Sequence, residues 1–150
     1  MLTLKEALFR QCEDFVNTRL QNIQTTISSH QKALSSETKS SAGDKHETGR
    51  AMLQLEMEKA GQQLKSVQQM KDILARIDPE KRSELAILGS LVETSLGTYF
   101  LSVSVGQIVL ENQSYFAIST SSPIGKLLLG KEQGAILAWN GKQFQVNKIS

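Results

Sequence analysis

The stretch SSAGDKHETGR, residues 40–50, separates two long runs of helical periodicity. Before it, apolar positions recur in steps of three and four, at Leu4, Leu8, Cys12, Val16, Leu20, Ile23, Ile27 and Leu34. After it, the same rhythm continues at Leu53, Met57, Ala60, Leu64, Val67, Met70, Leu74 and Ile77. Neither run is apolar all round, so each helix needs the other to bury its stripe. The pattern predicts an antiparallel helical hairpin with arms at about residues 3–35 and 45–77.

The composition changes after the second run, which Pro79 prevents from continuing as a helix. Of the charged residues, 25 (13 basic and 12 acidic) lie in the first 84 positions and 7 in the last 66. Turn residues separate short apolar segments that predict strands, namely ELAILGSLVET, GTYFLSVSVG, QIVLENQ and SYFAIS. We therefore expect a hairpin of residues 1–80 and a β domain of residues 85–150, with the boundary in Asp78–Glu84.

The C-terminal part contains local signals for one short helix and one tight hairpin. In SPIGKLLLG, Ser122 can cap a helix that has Pro123 at its first position and Gly130 at its end. Asn140-Gly141 is typical of a type I′ turn. The predicted fold class is α+β: a coiled-coil hairpin followed by a small antiparallel sheet with one short helix.

The whole chain favours a protein of the reducing cytoplasm. Its net charge of +2 is too small to indicate nucleic-acid binding by bulk electrostatics, and no apolar run approaches the roughly 20 residues of a membrane span. The single cysteine, Cys12, excludes an intramolecular disulfide and is predicted to be a core residue. His30, between Ile27 and Leu34, is predicted to be a packing residue rather than a ligand.

Two carboxylates, Asp44 and Glu47, are spaced i, i+3 where the second helix should begin. One interpretation is structural, because an acidic residue followed three positions later by Glu resembles a capping box and complements the helix dipole. The other is functional, because Mg²⁺ is often held by only one or two carboxylates. Such a pair would complete a cation site whose remaining ligands belong to another molecule.

The stretch GDKHETGRAMLQLEMEKAGQQL, residues 43–64, resembles the hairpin tip and following helix of the Gre transcript-cleavage factors of bacterial RNA polymerase. The segment SPIGKLLLGKEQG, residues 122–134, resembles a Ser-Pro-containing segment of the same family, and GSLV, residues 89–92, resembles its first C-terminal strand. The resemblance covers nearly the whole chain in order.

The resemblance implies an FKBP-like C-terminal domain and a protein that is not an enzyme by itself. It implies that Asp44 and Glu47 enter the polymerase secondary channel, share Mg²⁺ with the polymerase and promote cleavage of backtracked RNA by the polymerase active site. The chain would hold no cofactor alone, would be a monomer without membrane contact, and would meet nascent RNA and DNA only within the elongation complex. The residues expected to bind the polymerase are Ser122, Pro123, Ile124, Gly125, Lys126 and Lys131.

Two alternatives stay open, the first because of departures from the family pattern and the second because of the implied FKBP-like fold. Lys45 and His46 lie between the carboxylates, Glu37 is a further acid before the tip, and Arg50 and Ala51 replace an acidic and aromatic pair. The first alternative is a channel-binding inhibitor that does not stimulate cleavage. The second is a peptide-binding or prolyl-isomerase module, which would need aromatic residues for its pocket among Tyr99, Phe100, Tyr115, Phe116, Trp139 and Phe144.

Overall fold

The computed structural model describes residues 2–38 and 43–150, without the side chains of residues 37, 38 and 43–47. The elements in chain order are α1 (Leu4–Thr38), α2 (Gly43–Ala75), β1 (Leu91–Thr94), β2 (Thr98–Ser102), β3 (Gly106–Leu110), β4 (Gln113–Ser119), α3 (Pro123–Leu128), β5 (Ile136–Trp139) and β6 (Lys142–Ile149). A long helical hairpin thus precedes a six-stranded sheet with a short helix, and the predicted α+β class is confirmed. Among the described helices, none combines the length and apolar character that crossing a bilayer requires.

Helix α1 begins with a reciprocal pair of hydrogen bonds that the sequence analysis did not identify. The backbone N–H of Glu6 donates to Thr3 Oγ1 at 3.1 Å, and the backbone N–H of Thr3 donates to Glu6 Oε2 at 3.4 Å. This is a capping box, and its Thr-x-x-Glu signature is readable in the sequence. It explains why α1 begins at Leu4, one residue from the predicted start.

The buried stripes of the two long helices are those that the periodicity predicts. In α1 the stripe includes Val16 and Ile23, and in α2 it includes Ala60 and Val67, all of them buried. The prediction fails at Leu4, which lies at the helix start and is exposed. Burial along one stripe of each helix supplies the stability that neither helix would have alone in water.

The start of α2 differs from the prediction. Helix α2 begins at Gly43, two residues before the predicted start at residue 45. Acidic residues in a first turn are favoured by the helix dipole, which explains how the polar segment continues into the helix. The residues between the two helices, 39–42, lie outside the part that the structure describes.

Helix α2 ends at Ala75, near the predicted end at residue 77. The next two backbone N–H groups, of Arg76 and Ile77, donate to the carbonyls three residues earlier, at 3.0 and 3.1 Å. Such bonds tighten the last turn of a helix. Pro79 follows directly and has no N–H with which to continue the helix.

The chain forms two compact units. One comprises Met1–Phe15 together with Asp72–Ser150, and the other comprises Val16–Lys71. The first unit therefore contains the start of α1 and the end of α2 as well as the sheet. The domain boundary predicted from composition, between residues 1–80 and 85–150, is a separate matter from these units and stays a prediction.

The sheet has the strand order β3-β4-β2-β1-β6-β5. Four of the neighbouring pairs are antiparallel, whereas β2 and β4 pair in parallel, with Tyr99 opposite Phe116 and Leu101 opposite Ile118. The expectation of a wholly antiparallel sheet is therefore wrong for this pair. The reason is that β4 folds back beside β3 and inserts between β3 and β2, so β2 and β4 run in the same direction.

Two strand predictions are corrected by local turns. The segment ELAILGSLVET was expected to be a strand, but β1 begins only at Leu91 because Gly89 has a φ of +93° in the turn before it. QIVLENQ contains a strand end and a turn, since Glu111 and Asn112 have φ values of 50° and 63° and connect β3 to β4. The predicted type I′ turn at Asn140-Gly141 is confirmed by φ values of 50° and 77°.

The predicted cap of α3 is also confirmed. Ser122 Oγ accepts a hydrogen bond from the backbone N–H of Gly125 at 3.1 Å, and Pro123 is the first helical residue. Gly130 follows the helix with a φ of +82°. Leu128 of α3 completes a core cluster that also contains Ala86, Val92, Tyr99, Leu101, Phe144 and Val146.

Candidate functional site

The predicted tip carboxylates lie at the start of α2. Asp44 and Glu47 follow Gly43 within the first turns of this helix, and their side chains lie outside the described residues. Positions three apart in a helix are on the same side, about 5–6 Å between Cβ atoms. The helical backbone therefore gives the two positions a shared face, and both the capping and the metal interpretation stay predictions.

The chemistry of this pair fits Mg²⁺ as part of a coordination sphere. Carboxylate oxygens are ligands that Mg²⁺ prefers, and it commonly takes one or two of them while keeping several waters. Within the residues that the structure describes, no group of three or more His, Cys, Asp or Glu residues could hold a metal ion. The expectation that Asp44 and Glu47 share a metal ion with another molecule stays a prediction.

One exposed arginine and two exposed large apolar residues follow the start of α2. Arg50 is exposed and lies three positions after Glu47, on the same side of the helix. Met52 and Leu55, three positions apart on α2, are 63% and 65% exposed. The sequence analysis did not identify Met52 and Leu55, because they lie next to the seam positions Leu53 and Met57. Their exposure makes them candidates for contact with another molecule.

The predicted partner-binding segment forms α3 and the turn after it. Gly125 is buried, and a Cβ at that position would collide with the backbone oxygen of Ser119. Ser122 caps the helix, and Ile124 packs against the core cluster. These three residues therefore have structural roles in the described fold.

Other residues of the same segment are accessible. Pro123 and Lys126 are exposed, and Lys131 is half-buried. Leu129, which the sequence analysis did not select, is 43% exposed. Whether this surface binds a partner stays a prediction.

A second exposed leucine lies on the neighbouring chain segment. The backbone N–H of Ala86 donates to the Lys131 carbonyl at 2.8 Å, and that of Gly130 donates to the Ala86 carbonyl at 2.7 Å. These bonds hold Ala86 against Gly130 and Lys131, and its neighbour Leu85, which is 48% exposed, pairs with Glu132. Leu85 could not be selected from the sequence, because only the folded chain brings it beside the segment that follows α3.

The two residues that the sequence assigned to packing are buried in different ways. Cys12 is fully buried, with Sγ 3.6 Å from Ser102 Oγ, which confirms it as a core residue. Burial raises the pKa of the Cys12 thiol, so its reactive thiolate form is disfavoured. His30 is half-buried on the α1 stripe, and its Nδ1 is buried without a hydrogen-bond partner among the described residues.

Most aromatic residues of the C-terminal half build its core. Phe100, Phe144, Tyr99 and Tyr115 are buried, whereas Phe116 and Trp139 are half-buried against the core cluster. Tyr99 and Phe116 are in contact, with ring centroids 5.9 Å apart. A proline-binding pocket would need several of these rings at an accessible surface, so the peptide-binding alternative gains no support from their placement.

Comparisons with known proteins found little sequence similarity. No family model matches the chain, and no curated protein matches it. A solved structure described as the transcription factor Gfh1 resembles the chain at 21% identity, over 94% of this chain and 92% of that one, with a TM-score of 0.34.

Proposed function

We propose that this chain is a Gre-like transcription elongation factor. It binds RNA polymerase and places the tip of its hairpin in the secondary channel, where it stimulates cleavage of backtracked RNA. The observation that carries the proposal is the position of Asp44 and Glu47, which begin a helix of 33 residues paired with one of 35 residues. A helix of that length extends about 50 Å, which is long enough for one end to reach a site inside a channel of another protein.

Asp44 and Glu47 supply negatively charged oxygen ligands in this proposal. They would hold Mg²⁺ jointly with the polymerase, and a bound Mg²⁺ would supply a lowered pKa for the attacking water and positive charge beside the phosphate. The chain itself transfers no proton and forms no covalent bond. It is therefore a stimulating factor rather than an enzyme.

The domain of residues 85–150 supplies most of the affinity for polymerase in this proposal. Two carboxylates facing a weakly held ion give little net binding energy once they lose their water. The surface around α3 offers Pro123, Lys126 and Leu129, with Leu85 nearby, which is the mixture of apolar and polar contacts found at protein interfaces.

A specific observation favours a second candidate, a channel-binding inhibitor. Arg50 is exposed and follows Glu47 by three positions in α2, a spacing at which an arginine can pair with a carboxylate and compete with a metal for it. An exposed ion pair of this kind contributes only about 0.3–0.5 kcal/mol. The inhibitor would bind the same channel and obstruct it without activating cleavage.

The test is RNA cleavage in a stalled, backtracked polymerase complex. Wild-type protein should stimulate Mg²⁺-dependent cleavage, and Asp44→Ala/Glu47→Ala should not, although it still binds the polymerase. The matched control is Glu56→Ala/Glu58→Ala, which removes two exposed carboxylates further along α2 and should leave stimulation unchanged.

The outcomes separate the candidates. Polymerase binding without stimulation, together with slower RNA synthesis, would favour the inhibitor. Absence of polymerase binding would reject both candidates. An isomerisation assay on a proline-containing peptide, run alongside, would show activity only if the chain is a peptide-binding module with catalytic power.

A further inference from the structure

A cleft of about 410 Å³ lies beside the start of α1. Its apolar lining residues are Leu2, Phe9 and Pro79. Leu2 is 44% exposed, and Phe9 and Pro79 are half-buried. The cleft thus offers apolar surface to solvent within the compact unit that contains the sheet.

Carboxylates surround this apolar surface. Of the described residues that line the cleft, Glu6, Glu13, Asp78 and Glu80 are acidic, and Arg10 is basic. The chain as a whole carries a formal charge of +2. We call these eight lining residues the acidic cleft. Its net charge is negative, whereas the net charge of the whole chain is positive.

The spacing of residues along α1 explains one wall of the acidic cleft. Glu6, Phe9 and Glu13 recur in steps of three and four, so they share one face of the helix. The buried stripe follows a different face, through Leu8 and Cys12. The start of α1 thus has a second patterned face beside its buried stripe.

The turn at residues 78–80 forms the opposite wall and is held in place. Asp78 Oδ1 accepts a hydrogen bond from the backbone N–H of Glu80 at 3.0 Å, and the Asp78 carbonyl accepts from that of Lys81 at 3.1 Å. The Lys81 carbonyl in turn accepts from the buried Lys5 Nζ at 2.7 Å. A wall fixed in this way is pre-organised, which lowers the entropy cost of binding.

We infer that the acidic cleft docks a basic segment of another protein, one in which an apolar side chain is flanked by lysine or arginine. The apolar side chain would enter between Leu2, Phe9 and Pro79, and the flanking cations would face the carboxylates. Charge complementarity is the reason for this occupant, since the same carboxylates would repel nucleic acid and acidic segments. The inference does not depend on the function proposed above.

The test uses the full-length chain and a fluorescent synthetic peptide that has a central leucine flanked on both sides by lysines and arginines. Anisotropy should show saturable binding that weakens as salt increases. The test variant is Glu13→Lys/Glu80→Lys, which reverses two exposed charges of the cleft but leaves Glu6 and Asp78, with their structural hydrogen bonds, in place. Its affinity for the peptide should fall by about tenfold or more.

The matched control is Glu56→Lys/Glu58→Lys, which makes the same change in net charge at exposed positions of α2. It should retain the wild-type affinity, and a peptide with serine in place of leucine should bind more weakly to the wild type. Equal loss in both double variants, equal binding of the serine peptide, or no saturable binding would overturn the inference. So would a dimer in sedimentation that only the cleft variant dissociates, because the occupant would then be a second copy.

Discussion

Lys5 carries a buried ammonium group that joins distant parts of the chain. Its Nζ donates to the Lys81 carbonyl at 2.7 Å and to the Ser150 carbonyl at 3.2 Å. Burial is the main cause that lowers the pKa of Lys5 below its ordinary value of 10.5; the nearby Arg82 lowers it further, and Asp78 opposes the change. Folding therefore favours the neutral, deprotonated form of the Lys5 side chain.

This shift predicts a pH dependence of stability. In the interval between the lowered pKa of Lys5 and 10.5, the folded chain has released the proton and the unfolded chain has kept it. Stability rises with pH wherever the unfolded state binds more protons. The free energy of unfolding should therefore rise with pH over this interval, and Lys5→Met should lack that rise.

Denaturant unfolding at several alkaline pH values would measure the effect as the difference between wild type and Lys5→Met. Lys59→Met, at an exposed position of α2, serves as the control and should keep the wild-type rise. An equally steep rise in Lys5→Met would mean that Lys5 is not its source.

Asp44 and Glu47 allow the metal role to be separated from the capping role. Asp44→Asn and Glu47→Gln keep the shape of each side chain but remove the charge that a Mg²⁺ ligand needs. Each should abolish stimulation of RNA cleavage while leaving polymerase binding nearly unchanged. Asn caps a helix as well as Asp, and Gln preserves a capping box, so a purely structural role predicts no loss.

The cleavage assay on backtracked complexes is the measurement, with circular dichroism to confirm that the helical content is kept. Full stimulation by both amide variants would contradict a metal role. It would leave the pair with its structural interpretation.

At the scale of the elements, two glycines in helices should respond to alanine in opposite directions. A Cβ at Gly125 would collide with the Ser119 carbonyl oxygen and lie 2.8 Å from Ser122 Oγ, which caps α3. Gly125→Ala should destabilise the fold by about 2 kcal/mol, because backbone atoms would have to move. Gly61 has no atom within 4 Å of such a Cβ, so Gly61→Ala in α2 should stabilise by about 0.5–1 kcal/mol.

Thermal and denaturant unfolding of both variants would test this pair, each serving as the control for the other. The close packing of α3 on the end of β4 would be refuted if Gly125→Ala unfolded like the wild type. The Gly125→Ala variant should bind polymerase more weakly only to the extent that the substitution displaces α3.

At the scale of the whole molecule, the compact units predict where the chain can be shortened. The unit with the sheet includes Met1–Phe15 and Asp72–Ser150 and contains the Lys5 hydrogen bonds and the contact between Cys12 and Ser102. Replacing Val16–Lys71 by a short glycine-serine linker should leave this unit folded and able to bind polymerase. It should no longer stimulate cleavage, because the tip carboxylates are gone.

The matched comparison is a fragment of residues 85–150, which lacks the helical segments of the same unit. It should unfold at a lower temperature than the shortened chain, since it loses the buried side chains of Leu8 and Cys12. Circular dichroism melts and polymerase co-sedimentation would compare the two proteins. A fragment as stable as the shortened chain would show that the start of α1 contributes nothing to the sheet.

Much of the architecture was predictable because its signals are local. The three-four rhythm predicted the buried stripes of α1 and α2, and Pro79 marked the end of the second helix. Ser122 and Asn140-Gly141 predicted a cap and a turn that the structure contains. Periodicity, capping and turn chemistry act over a few residues, so the sequence by itself determined these features. It also determined the spacing of Asp44 and Glu47, which identified them as candidates.

Only the tertiary structure decided which distant segments meet. The parallel pairing of β2 with β4, the hydrogen bonds from Lys5 to Lys81 and Ser150, and the two walls of the acidic cleft join residues far apart in the chain. No period or turn signal records such contacts, because many chain paths satisfy the same local preferences. Which of these paths the chain follows depends on how its apolar faces pack together, and that packing exists only in the folded chain.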